Sequence, residues 1–222
     1  MTESRLEIVS IQVGLPEQLG QAGAEDPLDR PWVSAINKRP IAGKVWLGRE
    51  GLEGDGQADL RHHGGPDRAL LGYSAEHYPL WARELGRADL GPGTFGENLT
   101  IRGLTEDTVC VGDRFSAGDA VIEVTQPRQP CQNLARKLHV PDMVNRVEAR
   151  GRGGWYLRVI HEGWLRSGLP LRLVDHPHPE WTIREAARVY QQRGREPGPA
   201  ARLAACPALS SDWRETLASA GS

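Results

Sequence analysis

The sequence lacks several features that would assign it to a broad class. No apolar run approaches the roughly 20 residues needed to cross a bilayer. The N-terminus, MTESRLEIVSIQV, has no basic segment followed by an apolar one, so we expect no signal peptide. The three cysteines, Cys110, Cys131 and Cys206, are widely spaced and form no CxxC, which disfavours a disulfide framework and a structural zinc site. These absences predict a soluble, cytoplasmic protein.

The charge balance also excludes two kinds of partner. Lysine and arginine total 27 residues, aspartate and glutamate total 29, and the formal net charge is −2. A binder of nucleic acid or of an anionic membrane usually carries a clear basic excess. We therefore expect neither a nucleic acid nor a membrane as a partner.

Glycine and proline are abundant and separate many short β-branched segments. The chain has 26 glycines and 16 prolines, mostly before residue 176. Alternation of Ile122 and Val124 with polar neighbours indicates a strand with one buried face. Strands are predicted at 5–13, 41–48, 68–74, 98–103, 108–118, 120–126, 154–163 and 169–175, and helices at 74–85 and 131–140. This pattern predicts a mainly β protein whose strands form a closed or nearly closed barrel, with a few flanking helices.

The pattern changes near His176, after which no strand is predicted. Thr182 and Glu185 form a capping-box pattern at the start of a helix over 183–193, which we expect to end at Gly194. The stretches PAARLAACPALS and SDWRETLAS predict two further short helices. The chain is thus divided into a β-barrel domain, 1–175, and a small three-helix domain, 176–222.

Cys131 has the most unusual setting among the cysteines. It lies in TQPRQPCQNLARKL, after a strand and before a helix, with Arg128 three residues upstream. A positively charged site at a helix start favours a thiolate, which can act as a nucleophile or bind a soft metal. Cys110, in the apolar stretch TVCVGD, is expected to be an inert core residue, and Cys206 is expected to be incidental.

Three other stretches carry polar side chains with two possible interpretations. In GLEGDGQADLRHHGGPDRALLGYS, His62 and His63 are adjacent, so in an extended segment one would face a pocket and the other would not. The glycines there would equally suit tight barrel turns. In GPGTFGENLTIRGL, Glu97 and Asn98 could bind a polar heterocycle or simply form a turn beside a solvated edge.

Lys38 and Arg39 form the third stretch, NKRP. Both cations precede Pro40, which favours an extended backbone. They could neutralise a phosphate, or they could be an ordinary solvated pair.

Six stretches occur in this order along the chain: NKRP, GLEGDGQADLRHHGGPDRAL, FGENLT, GLTEDTVCVGDRF, VTQPRQPC and GWYLRV. Together they resemble the MOSC domain family, named after the C-terminal domain of molybdenum cofactor sulfurases. The resemblance covers roughly residues 30–175. The continuation HPEWTIREAARVY resembles the YiiM type of that family, in which a MOSC β-barrel precedes three helices.

The resemblance implies a molybdenum cofactor of the molybdopterin type, with Cys131 as the molybdenum ligand. It also implies Glu97 and His63 as proton donors. The other cofactor-binding residues would be Lys38, Arg39, Arg68 and Arg128 for anionic groups, Asn98 for the pterin edge, and Asp55, with His63, near the mouth of the pocket.

The implied activity is the reduction of N-hydroxylated compounds, such as 6-N-hydroxylaminopurine, to amines. The sequence shows no flavin or iron–sulfur motif, so a separate, flavin-dependent reductase is the expected electron donor. Two alternatives remain open at this point: a sulfur carrier or transferase with a persulfide on Cys131, and a non-catalytic module that binds or delivers the cofactor. A Cys–His hydrolase is disfavoured, because nothing in the sequence fixes a histidine near Cys131.

Overall fold

The computed structural model describes residues 6–58 and 64–219. Its strands are β1 Glu7–Val13, β2 Glu17–Leu19, β3 Trp32–Ser34, β4 Arg39–Pro40, β5 Lys44–Gly48, β6 Gly51–Leu52, β7 Leu70–Ser74, β8 Leu99–Arg102, β9 Arg114–Ala117, β10 Ala120–Pro127, β11 Trp155–His161, β12 Gly163–Arg166 and β13 Arg172–Asp175. Its α-helices are α1 Tyr78–Leu85, α2 Gln132–Leu138, α3 Met143–Arg150, α4 Ile183–Gln192, α5 Pro197–Ala204 and α6 Ser211–Ser219. Single 3₁₀ turns occur at Pro66–Arg68 and Ala75–His77.

The largest sheet has eight strands in the order β13-β9-β10-β11-β7-β8-β1-β4. Adjacent strands in this sheet are antiparallel, except for β7 and β8, which are parallel. The sheet curls until its two sides meet, because the segment before β13 bonds to the start of β1. The Ile8 N–H donates to the Leu169 carbonyl at 2.9 Å, and the Leu171 N–H donates to the Leu6 carbonyl at 3.0 Å. The predicted mainly β, barrel-like architecture is confirmed as a large curled mixed sheet.

The long strand β10 is buried on both faces. Ile122 and Val124 point into the sheet's interior, while Thr125 and Gln126 are also fully enclosed. The alternating sequence predicted one buried face only, and the difference arises because α4 packs against the outer side of this strand. The one carboxylate within it, Glu123, is neutralised by Arg114 and Arg158. Both faces of β10 therefore pack against other parts of the protein, and neither faces solvent.

A second, aromatic core lies where the first three helices meet the sheet. The rings of Tyr73 and Phe95 stack with centroids 4.4 Å apart, and the Trp81 indole N–H donates to the Tyr73 hydroxyl at 2.7 Å. Helix α3, which the sequence analysis missed, adds Met143 and Val147 to this core. Its eight residues give only two buried positions, too few for the periodicity to be recognised.

Two predicted strands are broken by local geometry. The predicted strand 108–118 begins only at Arg114, because Gly112 adopts a φ of +89° and the Asp113 N–H closes a tight turn on the Cys110 carbonyl at 3.1 Å. The predicted strand 154–163 is divided into β11 and β12 at Glu162. Strands of two or three residues, β2, β3, β4 and β6, gave no recognisable alternation in the sequence.

The three C-terminal helices pack against the curled sheet. The Val111 N–H donates to the Trp181 carbonyl and the Ile183 N–H to the Val109 carbonyl, both at 2.9 Å. Helix α5 ends at Ala204, earlier than the sequence indicated, and Cys206 beyond it is buried in the core rather than incidental. Within the described residues, no helix has the length and apolar character required to span a membrane.

The N-terminus of α4 supplies a test of this packing. The Thr182 hydroxyl accepts the Glu185 N–H at 3.1 Å, as the capping pattern predicted, although the Glu185 carboxylate pairs with Arg188 instead. Thr182→Ala should lower the free energy of unfolding by about 1 kcal/mol, because the cap is lost. Urea denaturation measures this change. Thr216→Ala, on an exposed helical face, is the matched control and should change stability by less than about 0.5 kcal/mol; equal losses would contradict the capping role.

Candidate active site

A cavity of about 240 Å³ opens where the loops at one end of the sheet converge. The segments that line it come from residues 33–38, 55–58 and 128–133, together with β7, β11 and the turn at Pro66–Arg68. Of the eight predicted site residues that the structure describes, six lie on its wall: Lys38, Asp55, Arg68, Asn98, Arg128 and Cys131. Residues far apart in sequence thus form one polar cavity.

Cys131, the residue immediately before α2, lies on this wall. Its backbone is extended (φ −120°, ψ 169°), and its carbonyl accepts the Leu134 N–H at 3.0 Å. The side chain is partly exposed, unlike those of Cys110 and Cys206, which are buried. Tyr156 and Arg128 line the same cavity. The thiol is therefore accessible beside cationic and aromatic groups.

Lys38, Asp55 and Asn98 form a hydrogen-bonded network on the cavity wall. The Lys38 ammonium donates to Asp55, whose second oxygen accepts the Asn98 amide at 2.8 Å. The Asn98 oxygen accepts the Leu71 N–H at 3.1 Å. Burial lowers the pKa of Lys38, and the Asp55 carboxylate opposes that shift. Since the Asn98 amide is already bonded within the wall, its predicted contact with a pterin edge gains no support from this geometry.

Arg128 is buried, and it forms no ion pair with any acidic side chain in the described part of the structure. Its relative exposure is 8%, and in the described part of the chain its Nη1 has no hydrogen-bond partner. Its backbone N–H, by contrast, donates to the Gly154 carbonyl at 3.0 Å, so the residue is firmly held. Burying an unpaired cation costs several kcal/mol in typical proteins, and a group in this state usually meets an anion or water. An anionic group in the cavity would neutralise this charge.

Arg68, the other arginine on the wall, is held by the C-terminal helices. Its guanidinium donates to Asp212 on α6, and it lies over the Tyr156 ring, 5.8 Å from the centroid. The adjacent Asp67 carboxylate accepts the Ser211 N–H at 3.0 Å. The start of α6 thus fixes the turn that carries Arg68. The sequence analysis predicted a helix over SDWRETLAS but missed this contact, because no local pattern links positions 68 and 212.

Glu97 does not lie among the described residues that line the cavity. Its buried carboxylate accepts the Gly93 N–H at 2.6 Å, the Phe95 N–H at 3.0 Å and the Thr100 hydroxyl at 3.0 Å, and it also bonds to Tyr78. These donors fold the 93–97 loop around it. A side chain at Gly93 (φ +87°) would meet the Lys38 carbonyl at 2.8 Å, so this loop packs directly behind the cavity. The predicted proton donor is thus placed in the supporting loop.

Of the remaining predicted site residues, Arg39 is not brought into the cavity, and His63 cannot be placed because it lies outside the described residues. Arg39 is exposed on β4, which pairs with β1, and it is not on the described wall. The physical reason is the alternation of an extended segment, which turns Lys38 inward and its neighbour outward. His63 and its neighbour His62 lie outside the described residues, so their roles stay predictions.

Lys137 is a residue that the sequence analysis missed. Its ammonium donates to the Ile36 carbonyl at 2.9 Å and to the Gly93 carbonyl at 2.6 Å, which joins two loops behind the cavity. Burial lowers the pKa of Lys137 to about 8; Glu97 opposes this shift, whereas Arg128 reinforces it. In the sequence, a lysine on a short helix was indistinguishable from a solvated one.

Comparison with known families and proteins gives matches over almost the whole chain. A family model for the MOSC domain matches residues 59–172, and one for the YiiM-like, 3-alpha helix domain matches residues 181–219. YflK of Bacillus subtilis (strain 168) is 41% identical over 217 residues, which covers 98% of this chain and 95% of YflK. Protein YiiM of Escherichia coli (strain K12) is 40% identical over 186 residues, 83% of each chain.

Two other similarities concern a structure and a longer protein. The crystal structure of YiiM from Geobacillus stearothermophilus superposes with a TM-score of 0.81 at 35% identity and covers 98% of this chain and 100% of that one. A protein named "Reductase" from Gibberella moniliformis (strain M3125 / FGSC 7600) is 36% identical over 163 residues. That match covers 72% of this chain but 29% of the fungal protein.

The unpaired Arg128 gives a prediction in which stability and binding change in opposite directions. Arg128→Met keeps most of the side-chain volume but removes the charge. The ligand-free variant should be as stable as the wild type or more stable, by about 1 kcal/mol, because the buried cation is gone. Inorganic pyrophosphate should raise the Tm of the wild type but not of the variant. Thermal unfolding with and without pyrophosphate measures both effects.

Arg39→Met is the control for that experiment, since Arg39 is exposed and outside the cavity wall. It should respond to pyrophosphate as the wild type does. If Arg128→Met is strongly destabilised and still responds to pyrophosphate, the arginine is a structural group and not an anion ligand.

The buried Lys137 predicts a pH dependence of stability. Its folded pKa is about 8 against 10.5 for an exposed lysine. Between those values the unfolded chain holds a proton that the folded chain has lost, so stability rises with pH over this interval. Wild type should therefore gain on the order of 1–3 kcal/mol relative to Lys137→Met between pH 7 and pH 10. Urea titrations at both pH values measure the free energies of unfolding. Lys44→Met, at an exposed lysine, is the control, and its difference in stability from wild type should not depend on pH. A pH-independent difference for Lys137→Met as well would contradict the prediction.

Proposed function

The chain belongs to the MOSC domain family, with a YiiM-like three-helix domain, and from this premise we propose that it binds a molybdenum cofactor and reduces N-hydroxylated compounds to amines. MOSC domains are associated with the molybdenum cofactor, and the cavity is suited to such a group. The observation that carries the proposal is the buried Arg128, which has no ion-pair partner among the described residues and lies on the same cavity wall as Cys131. In this proposal, the negative charge of the cofactor is the reason that a cation is buried beside an accessible thiol.

The described residues of the cavity fit an anionic, metal-bearing group. Lys38, Arg68 and Arg128 place three cations on the wall, whereas Asp55 is the one carboxylate among the described lining residues. Lys38 and Arg68 already have carboxylate partners, which leaves Arg128 to meet the ligand's negative charge. Cys131 offers sulfur, a soft and strongly donating ligand that suits molybdenum. In this proposal Cys131 holds the metal and Arg128 holds an anionic group of the pterin portion.

The reaction proposed is R–NHOH + 2 e⁻ + 2 H⁺ → R–NH₂ + H₂O. When bound, the cofactor supplies the two-electron chemistry at the nitrogen–oxygen bond. The chain's own residues orient the substrate, limit access of water and hold the protons. Of the described groups on the wall, the Lys38 ammonium suits proton delivery, because burial lowers its pKa and Asp55 holds it in place. Glu97 would act on Lys38 only from behind the wall, through its charge.

The electrons must come from another protein in this proposal. The sequence carries no flavin or iron–sulfur motif of its own. A relative named "Reductase" is matched over only 29% of its length, so the matched part there belongs to a much longer chain. For our protein we propose a separate flavin-dependent reductase as the partner that supplies the electrons. The substrate class that we propose is an N-hydroxylated base such as 6-N-hydroxylaminopurine.

Cys131→Ser tests the proposal. A hydroxyl is much harder to ionise than a thiol and is a harder donor, so the variant should fold but lose bound molybdenum. Protein expressed in a host that makes the cofactor should contain molybdenum in the wild type and only background in the variant. The reduction of an N-hydroxylated purine with a chemical electron donor should fall to background as well. Elemental analysis and a rate assay measure the two quantities.

Cys206→Ala is the matched control, because this cysteine is buried and outside the described cavity wall. It should keep molybdenum and the reduction rate. Full metal content and rate in Cys131→Ser would sink the ligand assignment. A persulfide on Cys131 by mass spectrometry, with no molybdenum in the wild type, would favour a sulfur carrier or transferase. Bound cofactor with no turnover would favour a delivery module.

A further inference from the structure

Three potential metal ligands converge outside the cavity wall, where the curled sheet joins the helical part. The Cys110 sulfur, an Asp113 carboxylate oxygen and a His176 ring nitrogen all lie within 4.8 Å of one another. The His176 Nδ1 is 2.5 Å from Asp113, and none of the three lines the candidate active site. Cys110 and Asp113 are almost fully buried, whereas the His176 side chain is 41% exposed. The cluster is therefore buried at Cys110 and Asp113 and reaches solvent at His176.

Backbone geometry holds these ligands together without an ion. The tight turn 110–113 requires the positive φ of Gly112, and a side chain there would meet the His178 ring at 2.9 Å and Pro177 at 3.1 Å. The linker that carries His176 can thus lie directly on the turn. A β-bridge between Cys110 and Thr182 then fixes the end of the linker. The cluster joins the curled sheet to the start of the helical part.

The donor set points to one kind of ion. Thiolate, imidazole and carboxylate are the three zinc ligands of proteins, and Zn²⁺ is a borderline-soft ion that accepts all of them. The Cys110 thiol has one weak contact in the structure, 3.6 Å from the Pro179 carbonyl. A second cluster, Asp26, Asp29 and His139, contrasts with it, since all three residues are exposed and no sulfur is present. Exposed carboxylates of that kind are common without a metal.

We propose that Cys110, Asp113 and His176 bind one Zn²⁺, with water as the fourth ligand on the exposed side of His176. On binding, the thiol proton leaves to solvent and the imidazole coordinates in its neutral form. The ion links the turn 110–113 to the linker before α4, and so ties the helices to the sheet. This site is independent of the molybdenum proposal, because the two share no residue.

The test is a titration of the chelator-treated full-length protein with ZnCl₂ alone. Desalted wild type should retain one zinc per chain by elemental analysis, and its Tm should rise with zinc concentration. Co²⁺ in place of zinc should give a thiolate-to-metal charge-transfer band, which requires Cys110 in the coordination sphere. No retained zinc and no change in Tm in the wild type would overturn the proposal.

Paired variants separate this site from adventitious binding. Cys110→Ser and His176→Asn should each weaken zinc binding at least about tenfold, and Cys110→Ser should also remove the charge-transfer band. His139→Asn, in the exposed cluster, should bind zinc as the wild type does. Because His176 is largely exposed, His176→Asn keeps the test valid if Cys110→Ser does not fold. Equal zinc binding by wild type and His176→Asn would exclude the histidine, and with it the site. Cys131→Ser should keep its zinc whatever becomes of its molybdenum.

Discussion

The burial of β10 on both of its faces is the constraint on which the rest of the molecule depends. One face of this strand is part of the sheet's interior, and α4 covers the other. The strand ends at Pro127, directly before Arg128 and Cys131. Further bonds fix its end: the Thr125 hydroxyl donates to the Asp67 carbonyl at 2.7 Å, and the Arg128 N–H bonds to Gly154. A strand that cannot shift toward either layer places the loop with the thiol and the unpaired cation in one defined position.

The two arginines of the cavity are used in different ways. Arg68 is paired with Asp212, so its charge is partly neutralised before any ligand arrives and its position is set by the helices. Arg128 has no such partner among the described residues, so under the proposed function a bound anion would offset the free energy of its burial. The cavity wall therefore combines one arginine that is held in place by the helices with another that, in the proposed function, pairs with a bound anion.

The sequence predicted those parts of the structure that have local signals. Cys131 between a strand and a helix, the capping threonine at 182 and the change of pattern near His176 all follow from neighbouring residues, and the structure places each of them in the predicted local setting. Glu97 and Arg39 were harder, because the direction of a loop side chain depends on which donors surround it. Contacts between distant positions, such as Arg68 with Asp212, leave no local pattern at all.

The ligand cluster at Cys110 is another set of contacts between distant positions that the sequence analysis did not predict. Counting cysteines and their spacing disfavoured zinc, since this rule recognises only sites whose ligands are close in sequence. Here the ligands come from positions 110, 113 and 176, which the Gly112 turn and the linker bring together. Cys110 was expected to lie within an apolar strand, whereas it starts a turn. A single glycine changed the surroundings of its thiol.

The contact between α6 and the turn at Pro66–Arg68 has a consequence for how the two family domains can be exchanged. The Ser211 N–H donates to Asp67, and Asp212 pairs with Arg68, the residue of that turn that lines the cavity. In a chimera that joins this barrel to another protein's three-helix domain, a residue without a carboxylate at the position of Asp212 would remove the ion pair that holds Arg68. The helices therefore help to position the cavity wall, although none of the described lining residues belongs to them.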